Sequence, residues 1–180
     1  MYKNILIIGA ARSGKTTLAD YLSEEYDMRV LPSYTTRPKR NVSDMDHIYI
    51  SQAEYDLISD KVATRERSDG CYCATKEQID NNDIYVVDFD GLFELKEKYH
   101  GSKQIVSLFI DVPLDECERR MRNRGDSEDK IRQRTQDSIS TNTKENINMC
   151  DVVFNGMSPF LHAMVYETIR RCETYYDVQN

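Results

Sequence analysis

The sequence predicts a three-layer α/β fold in which helices cover both faces of a parallel core sheet. Apolar strand patterns alternate with helical patterns along most of the chain, and such alternation is typical of parallel sheets. The strand predicted at residues 3–8 contains the continuous apolar run Ile5-Leu6-Ile7-Ile8, as expected at the buried centre of the sheet. Residues 33–75 instead combine short strand patterns with turns, which predicts a small mixed insert in the core fold.

Local signals mark the expected elements in the first half of the chain. Ser51 and Thr75 each begin a capping box, with Glu54 and Gln78 three residues later, and Pro32 ends a preceding strand. The expected elements are a strand at 3–8, a helix at 15–26, a strand at 28–31, an irregular segment at 33–43, a strand at 47–50, a helix at 51–59, hairpin strands at 61–67 and 71–74, and a short helix from 75.

The second half of the chain continues the alternation of strands and helices. Gly125 and Asp126 interrupt its helical pattern once. The expected elements are a strand at 84–87, a helix ending near 99, a strand at 104–110, a helix from 113 to 124, a long polar helix at 127–145, a strand at 152–154 and a helix at 158–175. No repeat or linker divides the chain, so we expect one domain.

The composition of this 180-residue chain excludes several functional classes. Hydrophobic residues make up 39% and charged residues 31%, and no apolar run approaches the ~20 residues of a membrane-spanning helix. The net charge of −7 argues against a general nucleic-acid binder, so we expect neither nucleic-acid nor membrane partners. Scattered cysteines and the lack of a signal-peptide pattern predict reduced thiols in a cytoplasmic protein.

A glycine-rich loop joins the first predicted strand to the first predicted helix. Its sequence is Gly9-Ala10-Ala11-Arg12-Ser13-Gly14-Lys15-Thr16. This matches the phosphate-binding pattern G-x-x-x-x-G-K-[ST], in which backbone N–H groups and the helix N-terminus surround a phosphate chain. We expect Lys15 to reach the outer phosphates and Thr16 to ligate Mg²⁺, with Thr17 beside them. The loop therefore predicts a nucleoside triphosphate and Mg²⁺ as ligands.

A second basic stretch follows within the predicted insert. It reads Ser33-Tyr34-Thr35-Thr36-Arg37-Pro38-Lys39-Arg40. Arg37 and Arg40 can bind one phosphate through charge-assisted hydrogen bonds, and Tyr49 on the next predicted strand can add a hydroxyl donor. Alone, the stretch is equally consistent with a solvated basic loop. Because it closely follows a phosphate-binding loop, it predicts a second phosphate site, which would belong to an acceptor.

With four further motifs, these residues resemble the guanylate kinase family, within the nucleoside monophosphate kinases. The further motifs are Asp69-Gly70-Cys71-Tyr72, Val87-Asp88-Phe89-Asp90-Gly91, Arg120-Met121-Arg122-Asn123-Arg124-Gly125 and Val152-Val153-Phe154-Asn155. The resemblance covers most of the chain, and its T-T-R-x-x-R motif is more specific than the phosphate loop. It implies a P-loop fold with a nucleotide-monophosphate-binding insert and a helical lid that carries arginines. It also implies transfer of the γ-phosphoryl group of ATP to GMP.

The resemblance implies boundaries and residue roles as well. The core is expected at about 1–32, 76–120 and 146–180, the acceptor-binding insert at about 33–75 and the lid at about 121–145. ATP is expected to contact the loop residues 9–17 and, near its adenine, Asn155. The acceptor-binding candidates are Ser33, Arg37, Arg40, Tyr49, Glu66, Tyr72 and Asp88. The catalytic candidates are Lys15, Arg124 and Arg134, with Arg120 as their neighbour. Asp88 is also expected near the Mg²⁺ held by Thr16, acting through a bound water.

Departures from the family pattern leave the acceptor base open. The family's base-reading glutamate corresponds to Thr64, whereas Glu66 lies two residues further along the same predicted strand. Either Glu66 reads the base after a small shift, or the pocket is not built for guanine. The second tyrosine of the family's turn is Cys73 here, and Ser43 and Asp44 stand where the family has a glutamate.

Three functions therefore remain open from the sequence. The first is an ATP- and Mg²⁺-dependent kinase for GMP, dGMP or a related nucleoside monophosphate. The second is a P-loop small-molecule kinase with a non-nucleotide acceptor, although a neutral acceptor would leave Arg37 and Arg40 unexplained. The third is a non-catalytic interaction module that binds phosphorylated peptides. Such modules typically lose the phosphate loop, whereas this chain keeps Gly14, Lys15 and Thr16.

Overall fold

The computed structural model of the protein describes residues 3–39, 42 and 44–177, with side chains as far as residue 172. Its elements in chain order are β1 (Lys3–Gly9), α1 (Lys15–Tyr26), β2 (Ser33–Thr35), β3 (His47–Tyr49), α2 (Gln52–Leu57), β4 (Lys61–Arg67), β5 (Gly70–Thr75), α3 (Lys76–Asn81), β6 (Ile84–Val86), α4 (Phe89–Lys98), β7 (Gln104–Asp111), α5 (Leu114–Arg124), α6 (Glu128–Thr141), α7 (Lys144–Ile147), β8 (Val152–Asn155) and α8 (Leu161–Asp177).

The core sheet has four parallel strands in the order β6-β1-β7-β8. Alternate residues of β1 point to opposite faces, as the two-residue period of a strand requires. Ile5 and Ile7 pack with Leu18 of α1 on one face, whereas Leu6 and Ile8 join the cluster on the other face. Each face is thus covered by an apolar cluster, which confirms the predicted three-layer α/β fold.

The insert is a mixed sheet in the order β3-β2-β5-β4, in which β2 and β3 are parallel and the β4–β5 hairpin is antiparallel. Its pairing is irregular between Val62 and Arg65, where Ala63 has a φ of +51°. Such a bulge changes which side chains of a strand share a face. The predicted small mixed insert is confirmed, and the bulge sets where its charged side chains point.

Three predictions about elements were wrong. Residues 33–35 are a strand rather than part of an irregular segment, because β3 and β5 pair with its two edges. The predicted strand at 28–31 is reduced to an isolated bridge between Val30 and Ile84. The long polar helix ends at Thr141, and a separate turn of helix begins after Thr143, whose side chain accepts the N–H of Asn146. Both predicted capping boxes are present.

No helix in the described part of the chain is both long and apolar enough to cross a membrane.

Candidate functional site

The phosphate loop connects β1 to α1 at the carboxyl edge of the core sheet. Gly14 occupies the N-cap of α1 with a φ of +98°, a conformation that residues with a side chain rarely adopt. No side chain caps this helix, so its first N–H groups face the loop opening. Ser13 is buried, and its hydroxyl has no hydrogen-bond partner in the described structure. The loop therefore presents a helix N-terminus without a side-chain cap, which favours anion binding, and an unsatisfied buried hydroxyl lies in the same loop.

Lys15 folds back over the loop. Its Nζ donates hydrogen bonds to the carbonyl oxygens of Gly9 and Ala10, at 2.9 and 2.6 Å. Burial lowers the pKa of Lys15 from 10.5 to about 8, while nearby Cys117 and Asp88 act in the opposite direction. Arg67 and Arg134 lower the pKa further. Asp88, Arg67 and Arg134 come from three different elements, and all lie close enough to Lys15 to influence its charge.

The remaining predicted ATP-binding residues lie around this loop. Thr16 and Thr17 are exposed in the first turn of α1, and Arg12 is exposed with a φ of +66°. Burial of the Arg12 guanidinium and the neighbouring Arg124 and Arg120 charges lower its pKa, while Asp126 opposes them. Ala10 is buried and Ala11 partly exposed in the same loop. The loop is thus bordered by guanidinium groups.

Arg37 anchors the predicted acceptor site in the insert. It is only 4% exposed, and its guanidinium donates to Asp44 Oδ2 and to the Tyr49 hydroxyl, both at 2.9 Å. Burial alone would lower the pKa of Arg37, but its hydrogen bond to Asp44 raises it overall. Burial and a hydrogen bond with Asp44 likewise raise the pKa of Tyr49. The Arg37 Nε is buried without a partner in the described structure, so one N–H points at no protein acceptor.

Aromatic and hydroxyl side chains lie next to Arg37 and its partners Asp44 and Tyr49. The Ser33 hydroxyl lies 2.8 Å from His47 Nδ1, and the His47 ring packs edge-on against Tyr49 and Tyr72. The Tyr72 hydroxyl donates to Asp69 at 3.0 Å. The structure therefore brings three predicted acceptor residues together around His47. Sequence reasoning missed His47, although its position two residues before Tyr49 on the same strand was a signal.

The residues predicted to contact the acceptor base do not have the contacts expected from the sequence. Arg40 lies outside the described residues. Glu66 pairs with Cys71 through the strand backbone, but its side chain is exposed and makes no hydrogen bond or ion pair with another described residue. Thr64 instead donates its hydroxyl to the carboxylate of Glu94 on α4, at 2.7 Å. A carboxylate therefore does lie at the Thr64 position, but it comes from a helix 30 residues later in the chain.

Asp88 lies at the carboxyl end of β6 and caps α4, accepting the Gly91 N–H at 3.0 Å. Its other oxygen forms ion pairs with Arg65 and Arg67 of β4, at 3.1 and 2.9 Å. Sequence reasoning placed Asp88 near the metal but assigned no role to either arginine. The carboxylate therefore connects the insert to the core beside Lys15.

The three arginines in and beside the predicted lid make different contacts. Arg120 reaches the phosphate loop, where its Nη1 donates to the Arg12 carbonyl at 3.3 Å, and its Nε binds Glu116 at 2.7 Å. Arg124 forms an ion pair with Asp126, just beyond the end of α5. Arg134 is partly buried on α6 and acts electrostatically on Lys15. The structure thus places Arg120, the neighbour in the sequence interpretation, in direct contact with the loop.

Asn155 ends β8, and its side chain accepts the N–H of Met157 at 2.9 Å. The Met157 sulfur lies 3.5 Å from Arg120 Nη2. Because Arg120 also contacts the loop, the turn after β8 lies on the same side of the molecule as the phosphate loop. This is the side where the adenine contact was expected.

Replacing Arg120 by glutamine is expected to weaken ATP–Mg²⁺ binding about 10-fold, because a charge-assisted contact beside the loop is lost. Arg119→Gln is the matched control, since Arg119 binds the same Glu116 from a largely exposed position. Calorimetric titration of both variants measures the difference. An equal loss in both variants would mean that the effect arises through Glu116 and not through the loop.

The fold and the loop define a P-loop protein with a kinase-like fold, and P-loop domains bind nucleotides, typically with Mg²⁺. The chain belongs to the AAA domain family, whose model matches residues 5–147. A comparison with curated proteins found no match.

Two solved structures are among those that match this chain. A guanylate kinase from Anaplasma phagocytophilum is 19% identical, with 96% of this chain and 86% of that chain covered and a TM-score of 0.64. A shikimate kinase from Bacteroides thetaiotaomicron is 12% identical, with coverages of 96% and 98% and a TM-score of 0.47. The first match shows that the fold is guanylate-kinase-like.

Proposed function

We propose that the protein is a nucleoside monophosphate kinase that transfers the γ-phosphoryl group of ATP to GMP, dGMP or a related nucleotide. The observation that supports this most directly is the buried Arg37 Nε, which has no partner in the described structure. An orphaned buried donor costs about 1–3 kcal/mol, so a ligand that supplies an acceptor there gains that free energy on binding. A phosphate oxygen of the acceptor would satisfy it, while Tyr49 and Asp44 hold the guanidinium in place.

The site also suits Mg²⁺, which prefers oxygen ligands and retains several waters. The exposed Thr16 hydroxyl and the Asp88 carboxylate are the oxygen donors that would hold it, Asp88 through a water. The unpartnered Ser13 hydroxyl in the same loop indicates that the loop is completed by a ligand. When bound, Mg²⁺ would neutralise charge on the phosphates and help to orient them.

The remaining work of the reaction is positioning and charge stabilisation by the protein. Phosphoryl transfer spreads negative charge over the transferred group and needs little covalent chemistry from the enzyme. Lys15 is set to leave the carbonyls of Gly9 and Ala10 and to bind the outer phosphates of ATP. The lid arginines Arg124 and Arg134, with their neighbour Arg120, supply further positive charge, and in related chemistry one such arginine contributes about 10³-fold or more to the rate.

A coupled assay of ADP formation with a panel of ribo- and deoxynucleoside monophosphates tests the proposal. We expect turnover with at least one of them, with GMP and dGMP first. Binding of ATP–Mg²⁺ without turnover on any nucleotide would contradict a nucleotide acceptor. Failure to bind ATP–Mg²⁺ at all would favour a non-catalytic module.

The same panel tests which carboxylate reads the base. If Glu66 accepts the guanine N–H groups, Glu66→Gln is expected to raise the KM for guanine nucleotides about 10-fold and to leave the KM for other bases unchanged. Glu94→Gln is the comparison, because the Glu94 carboxylate accepts the hydrogen bond from the Thr64 hydroxyl. A guanine-specific loss confined to Glu94→Gln would remove Glu66 from the pocket.

A further inference from the structure

Two arginines of β4 have no part in the function proposed above. Arg65 and Arg67 lie two residues apart and both reach the Oδ2 atom of Asp88, at 3.1 and 2.9 Å. Arg65 has a second carboxylate partner, Asp90, whereas the described ion pair of Arg67 is with Asp88 alone. The Arg67 side chain is 49% exposed, and exposed ion pairs of this kind contribute at most about 1 kcal/mol. Arg67 can therefore leave Asp88 at little cost.

The position of Arg67 connects the two phosphate sites. On the donor side, its charge is among those that lower the pKa of Lys15. On the acceptor side, Arg67 pairs with Gly70 across the β4–β5 hairpin. A Cβ on Gly70 would lie 2.6 Å from the backbone nitrogen of Arg37, so the tip of this hairpin packs directly against Arg37. The hairpin that carries Arg67 thus contacts the backbone of Arg37, while the Arg67 charge acts on Lys15 in the phosphate loop.

The charges around Asp88 indicate what would move Arg67. One carboxylate oxygen is shared by two guanidinium groups, and the other accepts the Gly91 N–H. A bound polyphosphate would compete with Asp88 for both guanidinium groups, because phosphate oxygens are also strong acceptors of charge-assisted hydrogen bonds. Arg65 keeps its ion pair with Asp90, but Arg67 is left without a described partner beside two phosphate sites.

We propose that Arg67 is a phosphate-binding residue, held by Asp88 in the free protein and transferred to the phosphoryl chain when both substrates are bound. Arg65 keeps its ion pair with Asp90 at the start of α4. The effect of Arg67 on phosphoryl transfer rests on the proposed function. Phosphate binding by Arg67 does not, because it applies to any polyphosphate in the loop.

The first experiment measures inorganic tripolyphosphate binding by calorimetry without Mg²⁺. Arg67→Gln is expected to bind tripolyphosphate about 10-fold more weakly than the wild type, because a charge-assisted contact is lost. Arg67→Lys, which keeps the charge, should lose less. Arg132→Gln should bind as the wild type does, since Arg132 is 78% exposed and pairs only loosely with Asp129, at 3.7 Å. Equal affinity in Arg67→Gln and wild type would overturn the proposal.

The second experiment releases Arg67 without removing it. Asp88→Asn neutralises the carboxylate that holds the guanidinium, so Mg²⁺-free tripolyphosphate binding should become several-fold tighter. This effect depends on Arg67 and should vanish in the Arg67→Gln, Asp88→Asn double variant. Unchanged or weaker binding in Asp88→Asn would contradict the proposal, and it would do so even if Arg67→Gln did not fold.

Kinetics and stability separate this role from a purely structural ion pair. In the active enzyme, Arg67→Gln is expected to lower kcat about 100-fold, with the thermal unfolding midpoint close to that of the wild type. A lower midpoint with unchanged kcat and tripolyphosphate affinity would make the contact structural and overturn the proposal. If the wild type phosphorylates no nucleotide, the proposed function fails, but the tripolyphosphate measurements still decide whether Arg67 binds phosphate.

Discussion

Lys15→Met is expected to lower kcat for phosphoryl transfer by about 10³-fold while raising the stability of the nucleotide-free protein at pH 7. The loss of activity follows because the ammonium group provides charge at the outer phosphates, and methionine provides none. The gain in stability follows because the folded protein holds this ammonium partly buried, against the carbonyls of Gly9 and Ala10. Steady-state kinetics and thermal unfolding measure the two effects.

The pH dependence of this stability has a definite sign. Burial lowers the pKa of Lys15 from 10.5 to about 8, so between these pH values the unfolded chain binds more protons than the folded one. The stability of the wild type therefore rises with pH across this window, and the whole penalty is present below about pH 8. Lys15→Met removes this penalty, so the variant should have a free energy of unfolding about 1–3 kcal/mol higher than the wild type at pH 7. The difference between variant and wild type should shrink by pH 10.

Lys15→Arg is the control for charge, because it keeps a cation in the loop that stays protonated throughout this pH range. A stability difference between Lys15→Met and wild type that is equal at pH 7 and pH 10 would contradict a lowered pKa. It would then reflect packing of the methionine side chain.

Arg37→Ala is expected to reduce the free energy of unfolding by about 3–5 kcal/mol and to abolish measurable saturation with the acceptor nucleotide. Arg37 and Asp44 form an ion pair in which the side chains are only 3% and 5% exposed. Removing the arginine leaves the Asp44 carboxylate buried without its cation and also removes the donor to Tyr49. Denaturant unfolding and acceptor titrations measure these two losses.

A double-mutant cycle separates folding from acceptor binding at this pair. Arg37→Met combined with Asp44→Leu should recover much of the stability lost in either single variant, because no unpaired charge stays buried. The double variant should still fail to bind the acceptor, while its affinity for ATP–Mg²⁺ stays near that of the wild type. An equal fall in ATP affinity would contradict two separate phosphate sites.

Where the sequence predicted an element correctly, the signal was local. The capping boxes at Ser51 and Thr75 use residues three apart, and the bounds of α1 and β4 follow from patterns within single segments. The strand at Ser33–Thr35 lacked such a signal, since its strand character comes from pairing with β3 and β5. The break after Thr141 did have a local signal, because Thr143 is a typical N-cap residue.

In the candidate site, too, some parts have a local sequence signal and others do not. The phosphate loop could be predicted because its glycines, Lys15 and Thr16 form a specific pattern within eight residues, whereas phosphate binding by the Arg37 stretch stays a prediction. Spacing alone could not predict whether Arg120 or Arg124 contacts the loop, because both lie on α5. Only the packing of α5 against the loop brings Arg120 to the Arg12 carbonyl.

The sequence by itself therefore determined the layer architecture and the phosphate loop, and it predicted a second basic site. Only the tertiary structure decided which charges meet at Asp88, Thr64 and Arg37. The bulge at Ala63 and the packing of α4 on β4 direct Arg65 and Arg67 to Asp88 and bring Glu94 to Thr64. Local patterns depend on steric and hydrogen-bonding preferences of adjacent residues. Side chains 20 or more residues apart in the chain meet only after the core has packed, as Arg67 and Asp88 do.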